Sequence, residues 1–318
     1  MIRRQTRLFL TGGLGNQLFQ YAAALSRSQD KIQIDCILGN PRSNGCGQPD
    51  LFDFCLFSGV TQYGSRLPKY FFSKTAGYML RQGMQPTQIE RNIIFKTLVK
   101  ILGTVALSIW CHGPIKILQA TDNGYWRMPK VFPKEYLIGY FQSYAWAQEP
   151  NVEEQLRSLR LIKSSPELTF FLDSEKKFKA TAVHIRLGDY KHEEGLGIPS
   201  TDYYAEALNK IDESEGIERI WLFSNEPEEA LSFVPFKFRQ ITVIVPNFMG
   251  SAAETLEAMR HAENYVIANS SLSWWGAFLS YSESPCVIAP KPWFKFSQEP
   301  KKIIPSNWTR LSAWPAQS

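Results

Sequence analysis

The polar residues of the second half of the chain collect where apolar runs end. VHIRLGDY closes one such run, with His184 and Arg186 at its rim and Asp189 just beyond. FSNEP closes the next and presents Ser224, Asn225 and Glu226. ANSSLSWW closes a third and presents Asn269, Ser270, Ser271 and Ser273 ahead of a helical pattern. These residue types suit a polar, anionic ligand. A guanidinium forks two parallel hydrogen bonds onto phosphate oxygens and keeps its charge. Serines at a helix start add hydroxyls to free backbone N–H groups, where the helix dipole favours an anion. The Glu226 carboxylate can accept from N1–H and the 2-amino group of guanine, a donor pair that adenine lacks. A nucleoside diphosphate satisfies all of these groups. Each residue also has an ordinary use. An arginine at a strand end makes a structural ion pair, Ser/Asn runs cap helices, and Trp274 and Trp275 suit a core better than a sugar platform. The combination at successive strand ends carries the reading.

A second constellation, GGLGNQ, follows the apolar run Leu8–Thr11. It is not a P-loop, because no Gly-Lys-Ser/Thr follows, and it is an incomplete GxGxxG fingerprint. Gly12, Gly13 and Gly15 permit a tight turn or close approach to a ligand. Asn16 and Gln17 then stand at a helix start, able either to bond sugar hydroxyls or to cap the helix.

These residues need a scaffold that delivers strand ends to one edge. β-rich runs recur at Thr181–Arg186, Arg219–Ser224, Ile241–Val245, Tyr265–Asn269 and Cys286–Ala289. Helical patterns at Tyr203–Ile211, Glu228–Leu231, Ala252–Ala262 and Leu272–Tyr281 alternate with them, which predicts a doubly wound, mainly parallel sheet. Ser251 and Glu254 form a capping-box pattern ahead of the third helix. In the first half, Leu18, Phe19, Tyr21, Ala22 and Leu25 trace one helix face, and Lys31–Asp35 and Tyr136–Phe141 read as strands. The middle, from Pro41 to Gly124, reads as loops and short helices. A helical pattern at Val152–Arg160 precedes a boundary near Ser164–Pro166, which divides the chain into residues 1–165 and 166–318.

A chain of 318 residues fits two domains, and 44% hydrophobic with 20% charged residues is ordinary for a globular protein. The net charge of +5 suits an anionic small molecule or a membrane surface rather than a nucleic-acid duplex. Basic residues concentrate between Arg66 and Lys100, interleaved with aromatic and aliphatic ones. Such a segment can lie in a lipid headgroup layer or form a solvated helix face. Five cysteines without a CxxC pair fit a reducing compartment, and the four histidines show no zinc-ligand spacing. MIRRQTRLFL is too short for a signal segment and Ile101–Ile109 is half a membrane span, so no transmembrane helix is expected.

In order and spacing, GGLGNQLFQYAAA, YLIGYFQSYAW, VHIRLGDY, LFSNEP, ANSSLSWWGAFLS and APKPW resemble the alpha-1,2-fucosyltransferase family, especially its bacterial members. The resemblance covers most of the chain but not residues 40–129. It implies an α/β fold of two Rossmann-like domains (GT-B-like) facing each other across a cleft, an N-terminal acceptor-side domain and a C-terminal nucleotide-sugar domain. The implied donor is GDP-β-L-fucose, with no further cofactor and no metal. The implied acceptor is the 2-hydroxyl of a galactose-containing glycan; a cytoplasmic enzyme working on a lipid-linked surface glycan at the inner face of the membrane would account for the basic segment Arg66–Lys100. Arg186 would bind the pyrophosphate, His184 would line the nucleotide pocket, Ser270 and Ser271 would hold phosphate, and Glu226 would face guanine. Asn16 would reach toward donor or acceptor.

The chain departs from the family at Leu187, where a second arginine is usual. Strand neighbours point to opposite faces, so either Leu187 is a core residue and Arg186 suffices, or Lys191 or Lys291 supplies the missing cation. Inverting transfer also needs a general base. Asp189, Glu193 and Glu194 are the candidates, and Asp189 serves equally well as a residue that orients Arg186. The alternatives are a transferase of the same fold with another donor or acceptor sugar, and a non-catalytic nucleotide-sugar or glycan-binding protein.

Overall fold

A computed structural model describes residues 5–27, 31–36, 48–57, 59–63, 116–119, 134–193, 195–296 and 299–314. The basic segment Arg66–Lys100 and Glu194 lie outside the described residues. The chain divides into two compact units, Met1–Arg160 with Pro300–Ile303, and Leu161–Glu299 with Ile304–Ser318.

The first unit holds β1 (Gln5–Phe9), β2 (Ile32–Asp35), β3 (Val60–Tyr63), β4 (Lys116–Gln119) and β5 (Lys134–Ile138) in the order β3-β2-β1-β5-β4. All neighbours run parallel. β3 and β4 fall in the stretch read from sequence as loops and short helices. Their four-residue lengths give too few apolar positions for a period to register. The helix α1 (Leu14–Arg27) follows β1 and is buried almost all round rather than on one face. Its inward polar groups are therefore bonded: Gln20 grips both the N–H and C=O of Thr11, each at 3.1 Å. Gln17 donates to the Gly12 carbonyl at 2.9 Å and accepts from Leu51 N–H at 3.0 Å. The short helices α2 (Tyr144–Ala147) and α3 (Pro150–Arg157) follow β5.

The second unit holds β6 (Ala180–Ile185), β7 (Arg219–Ser224), β8 (Thr242–Ile244), β9 (Asn264–Val266), β10 (Val287–Lys291) and β11 (Thr309–Ser312), in the order β11-β10-β9-β6-β7-β8. Again every pairing is parallel. The helices are α4 (Pro166–Glu175), α5 (Thr201–Ser214), α6 (Pro227–Ala230), α7 (Ala252–Arg260) and α8 (Ser271–Phe278). Strand order reverses between β6 and β9, and such a switch point opens a crevice at the carboxyl ends of the strands.

The core of this unit explains how those ends are held. Val183, Ile185 and Leu187 join Tyr203, Tyr204, Ala207, Leu208 and Ile211 of α5 in one fully buried cluster. A buried hydroxyl without a partner costs about 1–3 kcal/mol, and both tyrosines find carbonyls at strand ends. Tyr204 donates to His184 O at 3.1 Å. Tyr203 donates to Ile267 O at 2.7 Å and Ile288 O at 3.2 Å. One helix thus pins the carboxyl ends of β6 and β9, and through Ile288 the stretch of β10 that lies beside the end of β9. The capping box at Ser251 forms only in its forward half, with Glu254 N–H on the serine hydroxyl at 3.2 Å. The Glu254 carboxylate instead accepts from Ser165 N–H at 2.6 Å and from its hydroxyl at 2.8 Å, bracing the residue that caps α4.

Candidate active site

Alternation along β6 decides which residues face the core. Val183, Ile185 and Leu187 point into the α5 cluster, so His184 and Arg186 share the opposite face. Leu187 is fully buried. The position where the family carries a second arginine is therefore a core peg in this chain.

The 3₁₀ turn Gly188–Lys191 follows, and its last three residues each tie a different strand end. Asp189 folds back on Arg186, with Oδ1 at 2.9 Å from Nε and Oδ2 at 3.1 Å from Nη2. Tyr190 carries the Arg186 guanidinium 5.9 Å from its ring centroid. Its hydroxyl donates to Asn269 O beyond β9 at 3.3 Å. Lys191 reaches past β7 to Glu226 and Glu229, each at 2.6 Å. These carboxylates raise its pKa, and the lysine hydrogen bond lowers that of Glu226. Lys191 is thus committed to two carboxylates rather than standing free as a substitute cation.

Two neighbours fix the turn. Asn225 Oδ1 accepts from Leu187 N–H at 3.0 Å. Gly188 adopts φ +37°, and a Cβ there would lie 2.1 Å from Asn225 Nδ2, so only glycine lets Asn225 close on the turn. Ser224 accepts from Glu226 N–H at 3.1 Å, shaping the entry to α6.

On the β9 side, Asn269 donates from Nδ2 to Leu196 O at 2.9 Å and Gly197 O at 3.1 Å. It is almost wholly buried, yet its Oδ1 has no partner. Ser270 is the N-cap of α8, but its hydroxyl makes no cap bond, and Ser271 begins the helix. The N–H groups of that first turn have no intrahelical acceptor. Trp274 and Trp275 are fully buried, and Trp274 stacks on Phe278 at 4.8 Å, so neither is a sugar platform. His184 also carries an unpartnered atom, Nδ1. Burial, aided by the Arg186 charge, pushes its pKa down to about 3, so the imidazole is neutral near pH 7.

The second unit's sheet edge thus gathers His184, Arg186, Asp189, Ser224, Asn225, Glu226, Asn269, Ser270 and Ser271. Of these, Asn225 and Ser224 hold backbone. Sequence reasoning assigned no role to Tyr190, which joins the two sides of the switch point; only its place inside VHIRLGDY marked it. Lys191 and Glu229 were equally unmarked as a pair.

Asn16 belongs to the first unit, at the start of α1, and accepts from Gln142 Nε2 at 2.9 Å. Asp35 ends β2, where a dinucleotide-binding unit would present a ribose-binding carboxylate. It is buried and paired with Arg7 instead. Among the described residues, no group of His, Cys, Asp and Glu is arranged to hold a metal ion, and no helix is long and apolar enough to cross a membrane.

Two proteins of Escherichia coli are 26% identical to this chain. One is the O-antigen biosynthesis glycosyltransferase WbnK, aligned over 323 residues that cover 92% of this chain and 96% of that protein. The other is an alpha-1,2-colitosyltransferase, aligned over 296 residues that cover 90% and 91%. Among solved structures, the fucosyltransferase NodZ from Bradyrhizobium shares the fold with a TM-score of 0.51 at 12% identity, over 87% of this chain and 94% of that one. The architecture is α/β with two Rossmann-like parallel sheets, as in GT-B enzymes. Residues 88–312 match glycosyl transferase family 11, a span that reaches from before β4 to the end of β11 and takes in the whole polar edge of the second sheet. The chain therefore belongs to glycosyl transferase family 11.

Proposed function

We propose that this glycosyltransferase moves L-fucose from GDP-β-L-fucose to the 2-hydroxyl of a galactoside, with inversion and without a metal. The observation that carries the reading is Arg186, gripped by Asp189 and joined through Tyr190 to Asn269, the residue before the N-cap Ser270 of α8. A guanidinium and a helix N-terminus on either side of a switch point form an electrostatic cradle for a pyrophosphate. The acceptor O2 attacks the anomeric carbon as the bond from that carbon to the β-phosphate oxygen breaks. The hydroxyl proton passes to a base, and GDP leaves with the bonding electrons. Arg186 and the α8 N–H groups stabilise the charge that develops on the leaving oxygen. Asp189 acts as the residue that orients Arg186, since both its oxygens face the guanidinium. Glu226 faces guanine, Asn269 and His184 bring their unpartnered polar atoms to the nucleotide, and Asn16 meets donor or acceptor.

The 1,2 linkage in the name of the colitosyltransferase relative supports attack by a 2-hydroxyl. The same name favours a second reading, in which the donor carries a different deoxy sugar. The O-antigen role in the name of the other relative supports a surface-glycan acceptor, which a lipid carrier would hold at the inner face of the membrane.

Calorimetric titration with GDP, ADP, UDP and GDP-fucose in EDTA tests the donor site. Metal-independent binding of GDP and GDP-fucose alone, lost in Arg186→Ala, is expected. Failure of GDP to bind, or a metal requirement, would remove the reading. GDP binding without fucose transfer, on a panel of guanine-linked sugars, would select the second one.

A further inference from the structure

None of the residues assigned to the donor above comes from YLIGYFQSYAW, yet its turn is closely held. β5 ends at Ile138, and Phe141, 1% exposed, adopts φ +51°. A buried aromatic residue in the left-handed region stores strain that its surroundings must hold. The hold is visible. Ser143 N–H bonds Phe141 O at 2.8 Å, and its hydroxyl donates to Lys302 O at 3.0 Å. Tyr144 N–H reaches the same carbonyl at 2.9 Å, and Phe141 packs edge-on to Trp146 at 6.2 Å. Gln142 is the half-exposed residue carried on this fixed turn.

Its Nε2 donates to Asn16 Oδ1 at 2.9 Å. The two residues stand at the carboxyl ends of β5 and β1, the strands between which the first sheet reverses its order. The bond occupies the carbonyl oxygen of Asn16. The amide nitrogen lies over Gly12, where a Cβ would approach it to 2.9 Å. What Asn16 then offers to a ligand is an NH₂ donor.

We propose that Gln142 is a positioning residue: it fixes the polarity of the Asn16 carboxamide so that N–H, not C=O, meets a ligand oxygen. The inference rests on the reading that Asn16 contacts substrate. The ligand group is an oxygen acceptor, either of the donor phosphate or of a sugar.

The test measures GDP affinity by calorimetry, and turnover of GDP-fucose both as transfer to lactose and as hydrolysis, in Gln142→Ala, Gln142→Glu, Asn16→Ala and the double variant Asn16→Ala/Gln142→Ala. Melting temperature serves as the control for folding. Misplacing a reacting group by about 1 Å costs on the order of 100-fold, so Gln142→Ala should lower kcat about 10–100-fold with Tm unchanged. Gln142→Glu, nearly isosteric but able only to accept, should lose as much. In the Asn16→Ala background the change at Gln142 should do nothing further, because coupled residues are non-additive. A silent Gln142→Ala, an active Gln142→Glu, or losses that multiply in the double variant would overturn the proposal. If Asn16→Ala itself changes neither turnover nor GDP affinity, the underlying reading of Asn16 fails instead. Weaker GDP binding assigns the contact to phosphate; an unchanged GDP affinity with a raised lactose KM assigns it to the acceptor.

Discussion

Asp189 grips Arg186 with both carboxylate oxygens, Oδ1 2.9 Å from Nε and Oδ2 3.1 Å from Nη2. A bidentate pair of this kind holds the guanidinium plane in one orientation, which a lone exposed ion pair does not do. The two candidate roles of Asp189 therefore separate kinetically.

Asp189→Asn should weaken GDP and GDP-fucose binding about 10-fold and leave the shape of the kcat pH profile intact. Loss of a general base would instead cost roughly 10²–10⁴ in kcat. Arg186→Ala should lower kcat about 10²–10³-fold, as removal of an oxyanion donor does. Arg186→Lys should recover little of it, because an ammonium cannot fork onto Asp189 and phosphate. A fall in kcat in Asp189→Asn as deep as in Arg186→Ala, with donor affinity unchanged, would make Asp189 the base.

Leu187→Arg, which recreates the doubled arginine of the family, should not strengthen donor binding. The side chain is fully buried among Tyr203, Tyr204 and Leu208 on the face away from Arg186. An unpaired charge there costs about 3–5 kcal/mol, which lowers Tm by roughly 10 °C for a unit of this size. A variant that melts like the parent and binds GDP more tightly would show that the turn can rotate this position toward the ligand.

The second sheet was legible because strands buried on both faces read as apolar runs, and polar residues at their ends stand out. His184, Arg186, Glu226 and Ser270 needed no more than that. Residues whose meaning lies in a distant partner were not legible. Tyr190 finds Asn269 79 positions away, and Gln142 finds Asn16 126 positions away. Glu254, read as half of a local box, spends its carboxylate on Ser165, 89 positions back. Local pattern marks a polar residue but not the distant group it will bond. The short edge strands β3 and β4 failed for a different reason: four residues each carry no period.

His184 should make the protein acid-sensitive. Its pKa is about 6.5 unfolded and is held down to about 3 by burial and by Arg186. Between these values the unfolded chain binds a proton that the folded one does not, so stability rises with pH. The contribution is complete above pH 6.5 and drains away as pH falls toward 3. At pH 5 the loss is about 2 kcal/mol, from about 1.5 pK units at 1.36 kcal/mol each. His184→Asn removes the titration, so the drop in unfolding free energy from pH 7 to pH 5 should shrink by about that amount. Denaturant melts of both proteins at the two pH values measure it. Equal drops would mean that the imidazole takes a proton in the folded state at ordinary cost.

Glu226 poses the sharpest choice, because Lys191 already bonds its Oε2 at 2.6 Å. If the carboxylate exists to anchor Lys191, then Lys191→Met and Glu226→Gln break the same bridge and should affect GDP binding alike. If it reads guanine, the two diverge. Each carboxylate oxygen has two lone pairs, so Oε2 can serve Lys191 and a base N–H together. Glu226→Gln replaces one acceptor with an NH₂ that opposes a guanine donor and leaves a polar pair unmatched. Sites built to match hydrogen bonds reject such mismatches strongly, so GDP affinity should fall about 100-fold while the weak ADP affinity stays put. Lys191→Met keeps both acceptor oxygens and Glu229 beside them, and GDP affinity should move less than about 5-fold, within the range of an exposed ion pair. IDP, which lacks the 2-amino group, should bind the parent more weakly than GDP and bind Glu226→Gln about equally. Parallel losses in the two variants, with IDP and GDP indistinguishable in the parent, would leave Glu226 as a brace for the turn and move base recognition elsewhere.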